Sequence, residues 1–448
     1  MVTMAEDLTG ASIELLQALI RNRCVNDGTP GSGQEHRNAS DLASFLEGRG
    51  LDLARYEAAP GRTTLVARMD GRVPGAPSLC LMGHTDVVPA EDPGWTRDPF
   101  GGELVDGEVW GRGAIDMLNL TASMAVALRH LVDSGFRPRG DLIFLAVADE
   151  ESGSAYGAQW MADHHPDAIR ADYVLTENGG LHSGTPEAPV IGVNVAEKGV
   201  SWRRLRVAGT PGHGSRPWRS DNALVKAAAV VSRLNDYRPR PRFHELWRDQ
   251  VDRLPIRDEQ KAALLDEDRI DDVLAAMPDA SAASYFHACT HTTFSPNALR
   301  GPMKTNVIPG AVDVEVDVRT LPGETSDDVI AHLRAALGDL ASAVEIEDII
   351  VSPASTSRIN TPLWDSLQRA VGKPFPGASL RPQLLVGFTD ARIYRAMGAI
   401  AYGAGLFSPS LDAGEYGRRF HGNDERIDSE SLGLTTQLWV DVCRDLLG

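Results

Sequence analysis

Seven acidic and histidine side chains, spaced along most of the chain, form a set able to bind metal and move protons. His84 and Asp86 stand in His84-Thr85-Asp86, and Asp116 closes Gly111-Arg112-Gly113-Ala114-Ile115-Asp116. Glu150 and Glu151 are adjacent, Glu177 follows an apolar run, and His421 opens His421-Gly422-Asn423-Asp424-Glu425. The imidazoles of His84 and His421 with the carboxylates of Asp116, Glu151 and Glu177 make a nitrogen and oxygen set suited to two divalent ions. Zinc comes first, with cobalt or manganese as alternatives. Asp86 and Glu150 are then left for orienting and proton-transfer work. Adjacent Glu150 and Glu151 would repel each other unless a cation stands between them. Gly111, Gly113 and Ala114 let backbone approach a crowded site. Taken singly, each has a plainer reading: His-Thr-Asp as a turn, Asp116 as the N-cap of a helix beginning at Leu118, Glu-Glu as a solvated loop. It is the ensemble that points to an enzyme.

Rigid elements must hold such groups. Residues 78–83 read as a buried strand that delivers His84 at its carboxyl end. Residues 141–148 do the same for Glu150 and Glu151, and 173–176 for Glu177, with a helix over 118–132 between them. Strands alternating with helices indicate a mostly parallel α/β sheet, which places ligands at the carboxyl ends of its strands. The character changes after Lys198-Gly199. Strands over 200–208, 311–320 and 344–351 combine with helices over 221–234 and 326–337, the latter with Ser326 as N-cap, in the order of a split βαβ sandwich. Residues 242–277, charged with spaced Leu, Ile and Val, suggest a helical elaboration, and 352–355 a return linker. The expected organisation is therefore a catalytic α/β domain in two parts, 1–198 and 352–448. Its mixed, mostly parallel sheet is flanked by helices, and an α+β ferredoxin-like domain over 199–351 is inserted into it.

Composition narrows the function. The 448 residues carry 44 Lys and Arg against 62 Asp and Glu, a formal charge of -18, which argues against a nucleic-acid partner. Cys24, Cys80, Cys289 and Cys443 are scattered and form no CxxC pair, so neither a thiolate zinc site nor a disulfide framework is expected. No apolar run approaches the roughly 20 residues that cross a bilayer. Residues 1–23 suggest an amphipathic helix through Ile13, Leu15, Leu16, Leu19 and Ile20 rather than a signal peptide. The expectation is a cytoplasmic protein with no membrane partner.

These motifs, in this order, resemble the dinuclear zinc amidohydrolase and exopeptidase family of aminoacylase, acetylornithine deacetylase, succinyl-diaminopimelate desuccinylase and glutamate carboxypeptidase. The resemblance runs from His84 to His421. It implies one metal held by His84, Asp116 and Glu177, a second by Asp116, Glu151 and His421, and Asp116 as their bridge. It implies Glu150 as the general base and Asp86 as the carboxylate behind His84. His213, in Gly209-Thr210-Pro211-Gly212-His213-Gly214-Ser215, matches a lid histidine that donates to the oxyanion, commonly from a partner subunit, so a homodimer through the lid is implied. Asn306 and Arg319, thirteen residues apart, match a lid pair that clasps substrate. Gly387, in Gly387-Phe388-Thr389-Asp390-Ala391-Arg392, matches a substrate loop, and Arg392 is a second candidate anion binder. Without the resemblance, His213 reads as part of a Gly-rich loop, and Asn306 and Arg319 as a polar strand face.

The expected activity is hydrolysis of an amide bond in an N-acyl amino acid or short peptide that ends in a free carboxylate. One rival is an aminopeptidase or dipeptidase acting on free-amine peptides. The other is an inactive protein that captures acyl-amino acids, against which the presence of both Glu150 and His213 speaks.

Overall fold

The computed structural model of the chain describes residues 4–90, 93–254, 256–301 and 304–448. They fall into two compact units. One comprises the residues up to Val195 with Ser357–Gln383 and Thr389–Gly448, the other Ala196–Thr356 with Leu384–Phe388.

The first unit is built on four parallel strands in the spatial order Leu142–Val147, Leu79–His84, Tyr173–Thr176, Ile400–Gly403. Every residue of Leu79–His84 and Leu142–Val147 is buried, as their unbroken apolar runs require of strands covered on both faces. Cys80, Met82, Ile143, Leu145 and Val174 pack against Met161, Ala391 and Tyr394 from helices Ala158–His164 and Ala391–Ala396. Helix Leu118–Asp133 packs on strand Leu79–His84, with Met4–Arg21 and Ser429–Leu447 beside it. A side chain at Gly83 would run into Thr121 of that helix, whose hydroxyl donates to the His84 carbonyl at 2.8 Å. The sheet is mixed because antiparallel strands extend it on both sides. Arg62–Met69 pairs with Leu142–Val147, Asp52–Ala59 pairs with Arg62–Met69, and Ala188–Glu197 meets Ile400–Gly403. Asp52–Ala59, at the edge, has no fully buried residue, as an edge strand with a wet face should be.

The second unit holds a four-stranded antiparallel sheet in the order Thr293–Arg300, Ala311–Thr320, Gly199–Ala208, Val344–Ser352. Its apolar face (Leu205, Val207, Val312, Val314, Val316, Val318) meets Ala227, Val230 and Leu333 of helices Ala223–Asp236 and Ser326–Leu337. This is the βαββαβ order of a ferredoxin-like sandwich. The charged elaboration forms helices Glu245–Asp252, Asp258–Leu264 and Ile270–Ala275, followed by Ala280–Thr290, around Trp247, Val251, Leu264, Ile270, Leu274 and Cys289. This unit reaches a few residues beyond 199–351 at each end. Lys198 belongs to it because its buried ammonium donates to the carbonyls of Ala288 (2.9 Å) and His291 (2.7 Å). Leu384–Phe388 joins it too: Lys198 N–H donates to the Leu385 carbonyl at 3.0 Å.

The N-cap of helix Ser326–Leu337 is Thr325, not the expected Ser326. The Asp328 amide donates to the Thr325 hydroxyl (3.3 Å) and the Thr325 amide to the Asp328 carboxylate (2.8 Å), a reciprocal pair. Ser326 lies inside the helix and accepts from Arg203 at 2.7 Å. Thr325→Ala is expected to destabilise this unit by roughly 0.5–2 kcal/mol, read as a lowered urea midpoint. An unchanged midpoint would count against this cap.

Candidate metal centre

Parallel register brings the carboxyl ends of Leu142–Val147, Leu79–His84 and Tyr173–Thr176 to one edge of the sheet, on strands spaced about 4.8 Å apart. His84 ends its strand, Glu150 and Glu151 follow theirs in a short 3-10 turn, and Glu177 comes directly after Thr176. Asp116 precedes helix Leu118–Asp133, and His421 lies in the loop before Arg426–Asp428. His84, Asp116 and Glu177 present donor atoms within 4.8 Å of one another, and so do Asp116, Glu151 and His421. Asp116 Oδ1 is 3.3 Å from His84 Nε2, and its Oδ2 is 3.1 Å from His421 Nε2, which is also 3.4 Å from Glu151 Oε2. One carboxylate thus turns an oxygen toward each group.

The electrostatics of this cluster are those of anions lacking cations. Burial raises the pKa of Glu150, Glu151 and Glu177, and neighbouring carboxylates raise each further, Glu177 acting on Glu150 and Asp116 on the other two. Hydrogen bonds to Asp116 and Glu151 push the His421 imidazole up to about 10. Glu151 Oε1 is buried with no hydrogen-bond partner. Divalent ions are what such a set lacks, and imidazole with carboxylate is a donor mixture that zinc, cobalt or manganese accepts.

A second layer, mostly invisible in sequence, fixes these groups. His84 Nδ1 lies 2.9 Å from the carbonyl oxygen of Asp86 and 3.6 Å from its carboxylate. The backbone of Asp86, more than its side chain, therefore sets the tautomer that turns the Nε2 lone pair toward Asp116. The Asp86 carboxylate instead accepts the amides of Glu150 (3.2 Å) and Glu151 (3.1 Å) and the side chain of Asn26 (2.8 Å). Asp149 takes a left-handed conformation, φ 66°, that turns the chain sharply off its strand. Its carboxylate accepts from Arg62 (2.7 Å), Asn26 (3.1 Å) and the Tyr156 amide (2.7 Å), and Arg62 is also paired with buried Glu35 at 2.7 Å. On the other side, buried Glu425 accepts the amides of Ile115 (2.8 Å) and Asp116 (3.1 Å) and pairs with Arg112 at 2.7 Å. Arg112 also reaches the His421 carbonyl at 3.3 Å. Glu425 and Asp390 stand inside motifs noted in the sequence but without an assigned task, while Asn26, Glu35 and Arg62 carry no local pattern at all. Arg392 donates to the carbonyls of Thr389 (2.8 Å) and Gly153 (3.2 Å), and Ser154 bonds to Asp390, so this loop braces the turn that carries Glu150 and Glu151.

Four further candidates lie in the second unit and are described within it. His213 sits on a two-residue ribbon, Gly212–His213 paired with Val307–Ile308, rather than in an open loop. Asn306 adjoins it, its carbonyl accepting from the Gly214 amide at 2.8 Å. The Ser215 amide donates to His213 Nδ1 at 3.2 Å, so Nδ1 is an acceptor and the proton sits on Nε2. The guanidinium fork of Arg319 is closed on Asp317 (2.7 and 3.1 Å), with its face 4.8 Å from the Phe388 ring. Arg319 Nη1 alone is buried without a partner. Gly387, next to Phe388, is half-buried in this same unit.

The family model described as Peptidase family M20/M25/M40 matches residues 80–445. The chain belongs to this family. It is a hydrolase of the metallopeptidase class. Among curated relatives, a probable carboxypeptidase S-like 2 of Dictyostelium discoideum is 28% identical, covering 78% of this chain and 68% of the relative. An N-fatty-acyl-amino acid synthase/hydrolase of Xenopus tropicalis is 27% identical over 82% and 72%. A succinyl-diaminopimelate desuccinylase of Cereibacter sphaeroides is 26% identical over 93% and 95%. The M20 metallo-carboxypeptidase of Sulfolobus solfataricus shares the fold at a TM-score of 0.73 and 18% identity, over 97% of this chain and 99% of that one. Among the described residues of this M20 protein no helix is long and apolar enough to cross a membrane.

If the Asp86 carboxylate holds the Glu150-Glu151 turn, Asp86→Asn sets an NH2 group against one of the two backbone donors and must lose that bond. Activity is expected to fall roughly 10–100-fold with the far-UV circular dichroism spectrum unchanged. Activity within twofold of the unaltered enzyme would contradict that role.

Proposed function

We propose that this M20 enzyme hydrolyses the amide bond of an N-acyl amino acid or short peptide bearing a free carboxylate, using two divalent ions, zinc foremost. The observation that carries the proposal is the division of ligands into two groups that share Asp116, with Glu150 beside them at the same sheet edge. Ions bound there would polarise the scissile carbonyl and lower the pKa of a water. Glu150, buried and with its pKa raised by burial and by Glu177, takes the proton from that water and delivers it to the leaving nitrogen, as a base and then an acid. His213, with its proton on Nε2, is the donor to the oxyanion as the tetrahedral centre forms. Carboxylate recognition falls to Arg319 through Nη1, with Asn306 and the Gly387 loop beside the substrate. The names of the relatives, a carboxypeptidase, an N-acyl-amino acid hydrolase and a desuccinylase, support a substrate of this class.

The proposal extends to a homodimer formed through the second unit, with His213 serving the partner's site. Exposed Trp218, Leu224 and Val225, close after His213 in sequence, support an apolar contact there. A reducing, cytoplasmic setting accords with four free, buried cysteines.

Glu150 and Glu151 separate chemistry from binding. Glu150→Gln is expected to keep both metals and lose roughly 10²–10⁴-fold in kcat, whereas Glu151→Gln should lose one metal equivalent. Equal metal content in both variants would defeat the assignment. For the clamp, Arg319→Ala should lower kcat/KM steeply on free-acid substrates and change little on the same substrates amidated. Equal losses on both would move carboxylate recognition elsewhere. A free-amine dipeptide hydrolysed faster than its N-acetylated form would turn the reading to a dipeptidase or aminopeptidase.

A further inference from the structure

Tyr416, five residues before His421, is a buried phenol of the first unit that has no task in the reaction above. Helix Ala413–Arg419 carries it, started by Asp412, whose carboxylate accepts the Glu415 amide at 2.7 Å. Arg419 pins the end of that helix, pairing with Glu415 and donating to the Arg426 carbonyl at 3.1 Å. Arg426 in turn pairs with Glu108 at 3.0 Å, across strands Arg426–Asp428 and Glu108–Trp110. The Tyr416 ring packs on Phe407, centroids 5.3 Å apart, and on Phe420, 5.1 Å apart. Phe407 lies four residues beyond strand Ile400–Gly403, whose Gly403 is in register with Thr176, the residue before Glu177. A braced helix and two aromatic neighbours thus fix this ring.

Its hydroxyl is the part that packing does not account for. Burial and then the charges of Asp116, Glu425 and Glu177 raise its pKa well above the usual phenol value, so the hydroxyl lies beside the ligand set. Yet it makes no hydrogen bond among the described residues. A buried tyrosine usually finds a partner for its O–H, because leaving one unmade costs free energy. A phenylalanine would pack on Phe407 and Phe420 as well. The carboxylates nearby are turned to other tasks. Asp116 faces His84 and His421, Glu425 accepts from Arg112 and the amides of Ile115 and Asp116, and Glu177 accepts from Asn178 at 2.9 Å. With an ordinary pKa of about 10, a phenol is a neutral donor at physiological pH.

We propose that Tyr416 is a further catalytic residue, its hydroxyl donating a hydrogen bond to the carbonyl oxygen of the scissile amide as that oxygen becomes the tetrahedral oxyanion. This role rests on the two-metal reading of the site but not on the identity of the substrate, since every amide brings that oxygen. Of the substrate's atoms it is the one that gains negative charge during attack, and it does so at the ligand set, where Tyr416 lies. A fixed donor there bonds more strongly to the transition state than to the substrate, so it raises kcat rather than lowering KM. Because Tyr416 belongs to the first unit, the oxyanion would have a donor attached to the same scaffold as the ligands, in addition to His213 of the second unit.

Tyr416→Phe removes one oxygen and keeps the ring on Phe407 and Phe420, so it tests the hydroxyl alone. Both proteins, full chain and zinc-loaded, are assayed on whichever amide the unaltered chain cleaves fastest from a panel of N-acyl amino acids and dipeptides. Zinc content and thermal midpoint are expected to match the unaltered chain, kcat to fall roughly 10–100-fold, and KM to change little. The second readout is calorimetric binding of a phosphinate dipeptide isostere, whose tetrahedral oxygens stand in for the oxyanion. Tyr416→Phe is expected to weaken that binding by a similar factor. A kcat within twofold of the unaltered chain, a loss confined to KM, or an unchanged phosphinate affinity overturns the proposal. Failure of the unaltered chain to cleave any N-acyl amino acid would overturn the proposed substrate class instead, and the phosphinate comparison would still read the hydroxyl.

Discussion

Negative charge packed into a buried space is the constraint around which this protein is built. Asp116, Glu150, Glu151 and Glu177 meet at one sheet edge, with the imidazoles of His84 and His421 among them. Two unit charges about 4 Å apart repel by roughly 4 kcal/mol at an effective dielectric near 20, so no such cluster forms for stability's sake. It persists because the strands that carry it are buried on both faces and cannot withdraw their ends. The consequence is a site whose donors fall into two groups that have one carboxylate, Asp116, in common.

A second set of charges braces that cluster from behind. Asp86 gathers the amides of Glu150 and Glu151, Arg62 joins Glu35 to Asp149, and Glu425 with Arg112 ties the Asp116 segment to the His421 loop. Buried ion pairs of this kind add little net stability once desolvation is counted, but breaking one leaves an uncompensated charge. Their value here is positional. Asp149 shows the mechanism: a non-glycine residue in the left-handed region is unfavourable alone and persists because Arg62, Asn26 and the Tyr156 amide all bond to its carboxylate.

What the sequence revealed and what it hid follow from the same physics. His84 and Glu177 were legible because each follows an unbroken apolar run, and a run of that kind buried on both faces must present its last residues at a sheet end. Asp116 was marked by the small residues before it. The supporting layer was hidden because Asn26, Glu35 and Arg62 come from remote segments and obey no period. The antiparallel strands flanking the sheet were hidden too, since pairing direction leaves no trace in a short apolar run. Asp317 and Arg319 stand two apart and so share one strand face. That spacing was visible, yet the closing of the Arg319 fork on Asp317 is a side-chain choice that only coordinates display. Thr325 displaced Ser326 as cap because Asp328, three residues on from Thr325, completes its reciprocal pair.

Anomalous X-ray diffraction at the zinc absorption edge, from crystals of the zinc-loaded chain, tests the shared carboxylate most directly. Two strong peaks are expected in the first unit, one among His84, Asp116 and Glu177 and the other among Asp116, Glu151 and His421, with an Asp116 oxygen bonded to each. A single peak there, or two peaks of which only one contacts Asp116, would contradict that sharing.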